Sequence, residues 1–181
     1  MSATRLLILG VLRFKQPVHG YDVRRELESW QAERWANIAY GSIYFALNKM
    51  AEEGLLEVVA ADQAAKGPAR TTYAVTAAGE AEFQRLLREY WWEAKTVIDP
   101  FQVALAFIHE LPRDEALAVL RHRIDGARSK VAELEILIRS KSEAGAPPQV
   151  AENLRLAAYH IEAFIRWAEE AVAKIERGEL L

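Results

Sequence analysis

The 181-residue chain contains no cysteine. That absence removes disulfides, thiol nucleophiles and thiolate metal sites together, and it suits a reducing compartment. Long apolar runs are missing too. "RLLILGVLR" holds an apolar run of only seven residues, Gly10 among them, between Arg5 and Arg13. That is short of a cleavable leader and of the roughly 20 residues a membrane-spanning helix needs. The run reads as a first core helix, and the expectation is a cytoplasmic chain without membrane contact. No His-x₃-His pair, HExxH, phosphate-cradling glycine loop or nucleophile elbow occurs, and His19, His109, His122 and His160 fall on different predicted helices. Carboxylates are plentiful but sit near basic neighbours at i±3 or i±4, as in "RHRIDGARSKVAELE". Catalysis has no platform here, and neither metal nor cofactor is implied.

A large excess of one charge is also absent, the net charge being −3. Residues 1–76 carry 9 Lys+Arg against 8 Asp+Glu, or +1; the remainder carries 14 against 18, or −4. The asymmetry has the sign of an N-terminal nucleic-acid module but is too small to decide the matter. What is present is an apolar fraction of 51% beside a charged fraction of 27%, ordinary for a soluble chain that buries a core. The length allows one large domain or two small ones.

Helical spacing dominates the pattern. "RLLILGVLRF" predicts a first helix from Thr4 to about Phe14, stopped by Pro17, and "GYDVRRELESW" a second, with Val23 and Leu27 on one face. His19, just before Gly20, is expected in the cap of that helix. A loop with Trp30, Trp35 and Asn37 leads to "YGSIYFALNKMAEEGLLE", where Ser42 or Gly41 is placed to cap a third helix. Ile43, Ala46, Leu47 and Met50 follow at i, i+3, i+4 and i+7, a core-facing stripe that Gly54 ends. Then the period changes. "LLEVVA" and "RTTYAVT", separated by a turn region with Gly67 and Pro68, read as one hairpin, after which Thr76 can cap a helix from Ala77 to about Lys95.

Asp99-Pro100 opens a short helix expected to reach Glu110, and Pro112 opens a longer one. Leu117, Leu120, Ile124, Ala127, Val131, Leu134 and Ile138 recur at steps of three and four. After "GAPP" the same spacing returns in Leu154, Ala157, Ile161, Phe164, Ala168, Ala171 and Ile175. Two matched stripes predict an antiparallel helical hairpin or coiled coil. Ala158, Tyr159, Ile165, Trp167 and Val172 add apolar surface outside that seam, which invites a second subunit.

The fold class expected is therefore mainly α with one small β-hairpin: a winged helix-turn-helix with its linking helix over residues 1–95, then a helical dimerisation domain over residues 96–181. In such a wing fold the third helix enters the major groove. Residues stepped at 100° turn Phe45, Asn48, Lys49 and Glu52 outward, with Ser42 and Tyr44 at the edges. Hydroxyls, an amide, a cation and an apolar ring are what phosphates, base edges and thymine methyls require. The bland alternative is a solvated helix face, which leaves Phe45 unexplained.

These residues support a family resemblance. "LILGVL", "HGYDVRREL", "GSIYFALNKMAEEGLL" and "GPARTTYAVTAAGE" resemble the PadR family of bacterial transcription regulators, and with the helical C-terminal region the likeness spans nearly the whole chain. Gly41-Ser42-Ile43-Tyr44, Ala46-Leu47 and Gly54-Leu55 carry it, with Tyr73, Thr76 and Gly79 in the wing. Phe45 departs from the proline often found there.

The resemblance implies a homodimer, usually a repressor, that binds an inverted repeat of double-stranded DNA and releases it when a small effector binds. It implies no enzyme. Ser42, Tyr44, Asn48 and Lys49 would be the recognition-helix contacts, with Phe45 packing on sugar or methyl groups. Lys66 and Arg70 would neutralise phosphates from the wing. Tyr21 is placed either to reach a phosphate or to join the core. Tyr90, Trp91 and Trp92 are candidates to line a cavity for an aromatic effector, with interface packing as the plainer role. Trp30 and Trp35 are expected to clamp the loop before the recognition helix. The rival reading is a protein-interaction module built on the same wing and coiled coil, without DNA binding.

Overall fold

The computed structural model describes residues 2–62, 70–93 and 99–181. The chain divides into two compact units, Met1–Thr96 and Val97–Leu181. The first contains α1 (Ser2–Lys15), β1 (Val18–His19), α2 (Gly20–Ser29), α3 (Ala32–Ala36), a 3₁₀ turn at Tyr40–Ser42, α4 (Ile43–Glu52), β2 (Leu56–Asp62), β3 (Arg70–Val75) and α5 (Ala77–Trp92).

Ile8, Leu9, Val11 and Leu12 are all buried, which makes α1 the centre of the core rather than an amphipathic surface helix. Val23 and Leu27 of α2 and Ile43, Leu47 and Met50 of α4 close around it. Each large aliphatic side chain buried this way contributes about 1.5–3 kcal/mol. The helix predicted as third is thus the fourth. Five-residue α3 occupies the expected loop, entered through Gln31 (φ 51) and left through Asn37 (φ 50), both left-handed. It is too short to leave a periodic signal. The wing also exceeds the expected hairpin: β1 pairs with β3 (Val18↔Tyr73, His19↔Thr72), giving an antiparallel order β1-β3-β2. The β2–β3 register shifts between Val58 and Ala60, leaving Val59 as the extra residue of a bulge.

The second unit contains α6 (Phe101–Leu105), a 3₁₀ turn at Ile108–Glu110, α7 (Arg113–Glu143) and α8 (Pro148–Glu176). The continuous helix expected up to Glu110 is therefore broken after Leu105. Leu111, which precedes Pro112, is extended, as a residue before proline prefers. Helices α7 and α8 pair along the predicted stripes. Leu117, Leu120 and Ile124 are buried against Ala168, Ala171 and Ile175, whereas Ala127 to Ile138 and Leu154 to Phe164 on the same stripes are only half-buried. Phe101 meets Phe164 and Trp167 edge-on, at ring centroid distances of 6.0 and 5.8 Å. The side chains assigned to a second subunit need correction. Ile165, Trp167 and Val172 pack on this same cluster within one chain, Ala158 is buried, and of the five only Tyr159 stays well exposed. Short α6, invisible to the two-stripe pattern, supplies the ring that meets Trp167. Among the described residues no helix is long and apolar enough to cross a membrane.

Candidate nucleic-acid interface

Helix α4 is held by its apolar side and leaves the other side free. Ile43, Leu47 and Met50 are fully buried. Phe45 is 68% exposed, Tyr44, Asn48 and Glu52 are exposed, and Lys49 is half-buried. Gly54 terminates the helix at φ +74, with Gly54 N–H donating to Ala51 and Leu55 N–H to Met50. Only glycine takes that conformation without strain. Glu53 is ion-paired with Arg5 of α1 at 2.7 Å, which takes one of the two carboxylates off the open face.

Ser42 does not cap the helix. It lies in the 3₁₀ turn, and its hydroxyl donates to the Ala39 carbonyl at 2.7 Å instead of accepting a helix N–H. It remains exposed beside Tyr44. His19 does not cap α2 either: its Nδ1 lies 2.8 Å from Thr72 Oγ1, across the β1–β3 pair. That contact follows from β1, which a two-residue strand cannot announce.

Among the described residues, Asn48 is the one outward residue of α4 whose side chain has a long-range hydrogen-bond partner. The Tyr73 hydroxyl donates to Asn48 Oδ1 at 2.8 Å. Tyr73 itself is 4% exposed, and burial pushes its phenol above the ordinary value, with the Thr71 hydroxyl working against that shift. The sequence offered Tyr73 only as part of a wing motif. Its link to Asn48 arises because β3 is the middle strand and Tyr73 joins the core that Leu47 and Met50 of α4 enter, a placement no local pattern reveals.

Tyr21 is 63% exposed, which removes the core alternative for it. Arg24, one turn further along α2, is ion-paired with Glu28 at 2.7 Å. Arg70 begins β3, but its side chain lies outside the described structure, and Lys66 lies outside the described residues altogether. Trp35 Nε1 donates to the Trp30 carbonyl at 3.0 Å, across the segment before α4.

Tyr90, Trp91 and Trp92 end α5, with Trp91 82% and Trp92 87% exposed. They line neither of two cavities in the second unit. The larger, about 380 Å³, is bounded by Arg123, Lys130, His160 and Phe164 among others, and the smaller, about 230 Å³, by Ile108 and Trp167 among others. Arg123 stacks on Phe101 at 4.0 Å beside the larger one. Among the described residues, no group of three or more metal-ligating side chains converges.

Residues 8–85 match the transcriptional regulator PadR-like family. That match takes in 78 of the chain's 181 residues, all within the first unit. The PadR-like region takes in the core of α1, both wing strands and α4, so the outward residues of α4 lie inside it. The family is one of transcriptional regulators, not enzymes. No curated protein matches the chain. Solved structures match along nearly its full length. Bacillus subtilis PadR in complex with operator DNA is 23% identical with a TM-score of 0.77, covering 97% of this chain and 98% of that one. The same protein in complex with p-coumaric acid is 23% identical with a TM-score of 0.75, covering 96% and 99%. The Vibrio cholerae virulence activator AphA is 23% identical with a TM-score of 0.68, covering 96% and 98%. At these identities the likeness establishes the fold: a winged helix followed by paired helices.

Proposed function

We propose that the chain is a cytoplasmic, sequence-specific DNA-binding regulator that acts as a homodimer, with the first unit reading DNA and the second joining the copies. The observation that carries this reading is the outward face of α4, where an exposed Phe45 stands among Tyr44, Asn48 and Lys49 inside the PadR-like region. The complex of B. subtilis PadR with operator DNA supports it. Helix α4 would lie in the major groove, and Ser42, Tyr21, Lys66 and Arg70 would meet the flanking phosphates. Two copies would read an inverted repeat with half-sites one or two helical turns apart.

We read the regulator as a repressor released by a small aromatic compound. The p-coumaric acid complex of B. subtilis PadR supports this, as do the exposed rings of Trp91 and Trp92, which leave stacking surface for a guest. The test is a gel-shift assay on the chain's own promoter region. Asn48→Ala is expected to weaken specific binding by about 1–3 kcal/mol, and Lys49→Ala to weaken binding to all duplexes while reducing the salt slope by about one. Binding by both variants as tight as that of the unsubstituted chain would overturn the assignment.

A further inference from the structure

We propose that Tyr73 fixes the direction of the Asn48 amide, so that Asn48 reads DNA as a hydrogen-bond donor. The inference rests on the DNA-binding reading above and adds the base chemistry that α4 selects. An asparagine amide has two unlike ends, an oxygen that accepts and an NH2 that donates. Left free, it turns either end toward a base at little cost. Here it is not free. Tyr73 sits at the centre of the three-stranded sheet, opposite Val18 on one side and Val58 on the other. Its ring is buried, and its hydroxyl meets Asn48 Oδ1 of α4 at 2.8 Å. The phenol O–H is the part given to Asn48.

Asn48 is exposed, and this is the sole hydrogen bond of its side chain among the described residues. The two amide hydrogens are the uncommitted end. In the major groove guanine offers the adjacent acceptors N7 and O6, adenine N7 beside an N6 donor, thymine O4, and cytosine only its N4 donor. Pairing with adenine at both edges needs Oδ1 for the N6 hydrogen, and Tyr73 already holds that oxygen. Guanine suits the two free hydrogens best and cytosine least. Tyr73 is a positioning residue in this scheme and touches no base itself.

The experiment is selection of bound duplexes from a random pool by the full-length chain and three variants. Asn48→Ala locates the base position that depends on this side chain, because enrichment there disappears. The unsubstituted chain should favour guanine over cytosine at that position by on the order of tenfold. Tyr73→Phe keeps the buried ring and frees the amide, so adenine should rise to rival guanine while the other positions keep their preferences. Asn48→Asp keeps an oxygen for Tyr73 but has no donor, and should shift the position toward cytosine. That variant leaves the core untouched, so the idea stays testable even if Tyr73→Phe folds poorly. Replacing the guanine by 7-deazaguanine should weaken the unsubstituted chain several-fold and leave Asn48→Ala unaffected. Enrichment of cytosine or adenine by the unsubstituted chain, an Asn48→Ala profile with every preference retained, or a well-folded Tyr73→Phe with an unchanged profile would each overturn the inference alone. A chain that enriches no duplex at all would instead remove the DNA-binding reading beneath it.

Discussion

Gly79 is a residue whose identity is dictated by a neighbour far from it in sequence. A Cβ there would lie 2.1 Å from the Leu55 carbonyl oxygen and 2.9 Å from Val75 Cγ1. That same oxygen accepts from the Thr76 N–H and the Thr76 hydroxyl, so it is not free to retreat. Gly79→Ala is expected to cost about 1–3 kcal/mol of stability, read from denaturant midpoints, because backbone must shift to admit one methyl. Next to it, the Arg13 guanidinium bonded to Glu80 at 2.6 Å holds that carboxyl below its ordinary 4.5. The folded form thus binds its proton less readily than the unfolded chain. Its contribution is present above 4.5 and is lost as the pH falls through the depressed value. Glu80→Gln should remove that part of the acid dependence, measured as the midpoint against pH in the two proteins. Both Gly79 and Glu80 could be read from the sequence as residues, Gly79 even as a motif position. Their reasons could not, since Leu55 and Arg13 reach them only through the fold. Ser42 and His19 show the converse: a cap was legible from type and position, but a nearer carbonyl and a partner strand claimed the side chains.

At the scale of elements, legibility followed length and period. Helices α1, α2, α4, α7 and α8 all left an apolar stripe, and the faces of α4 came out as the 100° stepping requires. Short α3 and β1 left none, and α6 ended sooner than its caps suggested. The Thr76 junction is the element boundary read best. Its side chain accepts from Gly79 N–H at 3.1 Å, capping α5, while its hydroxyl donates back to the Gly54 carbonyl at 2.7 Å. One side chain therefore ties the end of α4, the edge of the wing and the start of α5 together. Thr76→Ala is expected to cost about 1–2 kcal/mol, the upper part of the range for a lost N-cap, with Thr76→Ser losing much less. Equal stability of the alanine variant in thermal melts would show that water replaces the cap at no cost.

For the whole molecule, the paired helices of the second unit were legible as two stripes, but the surface they offer a partner was not. Trp167 looked outward by spacing and turned out to be covered by Phe101 of the same chain. The exposed apolar side chains include Ile136 on α7 and Leu156 and Tyr159 on α8, where the inner seam is only half-buried. The double substitution Ile136→Glu and Leu156→Glu is expected to shift sedimentation toward the monomer while helicity is kept, since it places charges on exposed apolar positions without touching the buried base of the pair. A dimer unchanged at micromolar concentration would place the joining surface elsewhere. The uneven seam has one more consequence. Near Leu120 and Ala171 each copy zips its own helices; toward Gly145 the facing side chains are only half-buried. A second copy laid over that end would supply the dry contact the pair lacks, so assembly would complete the folding of each chain, and its melting temperature would climb with concentration.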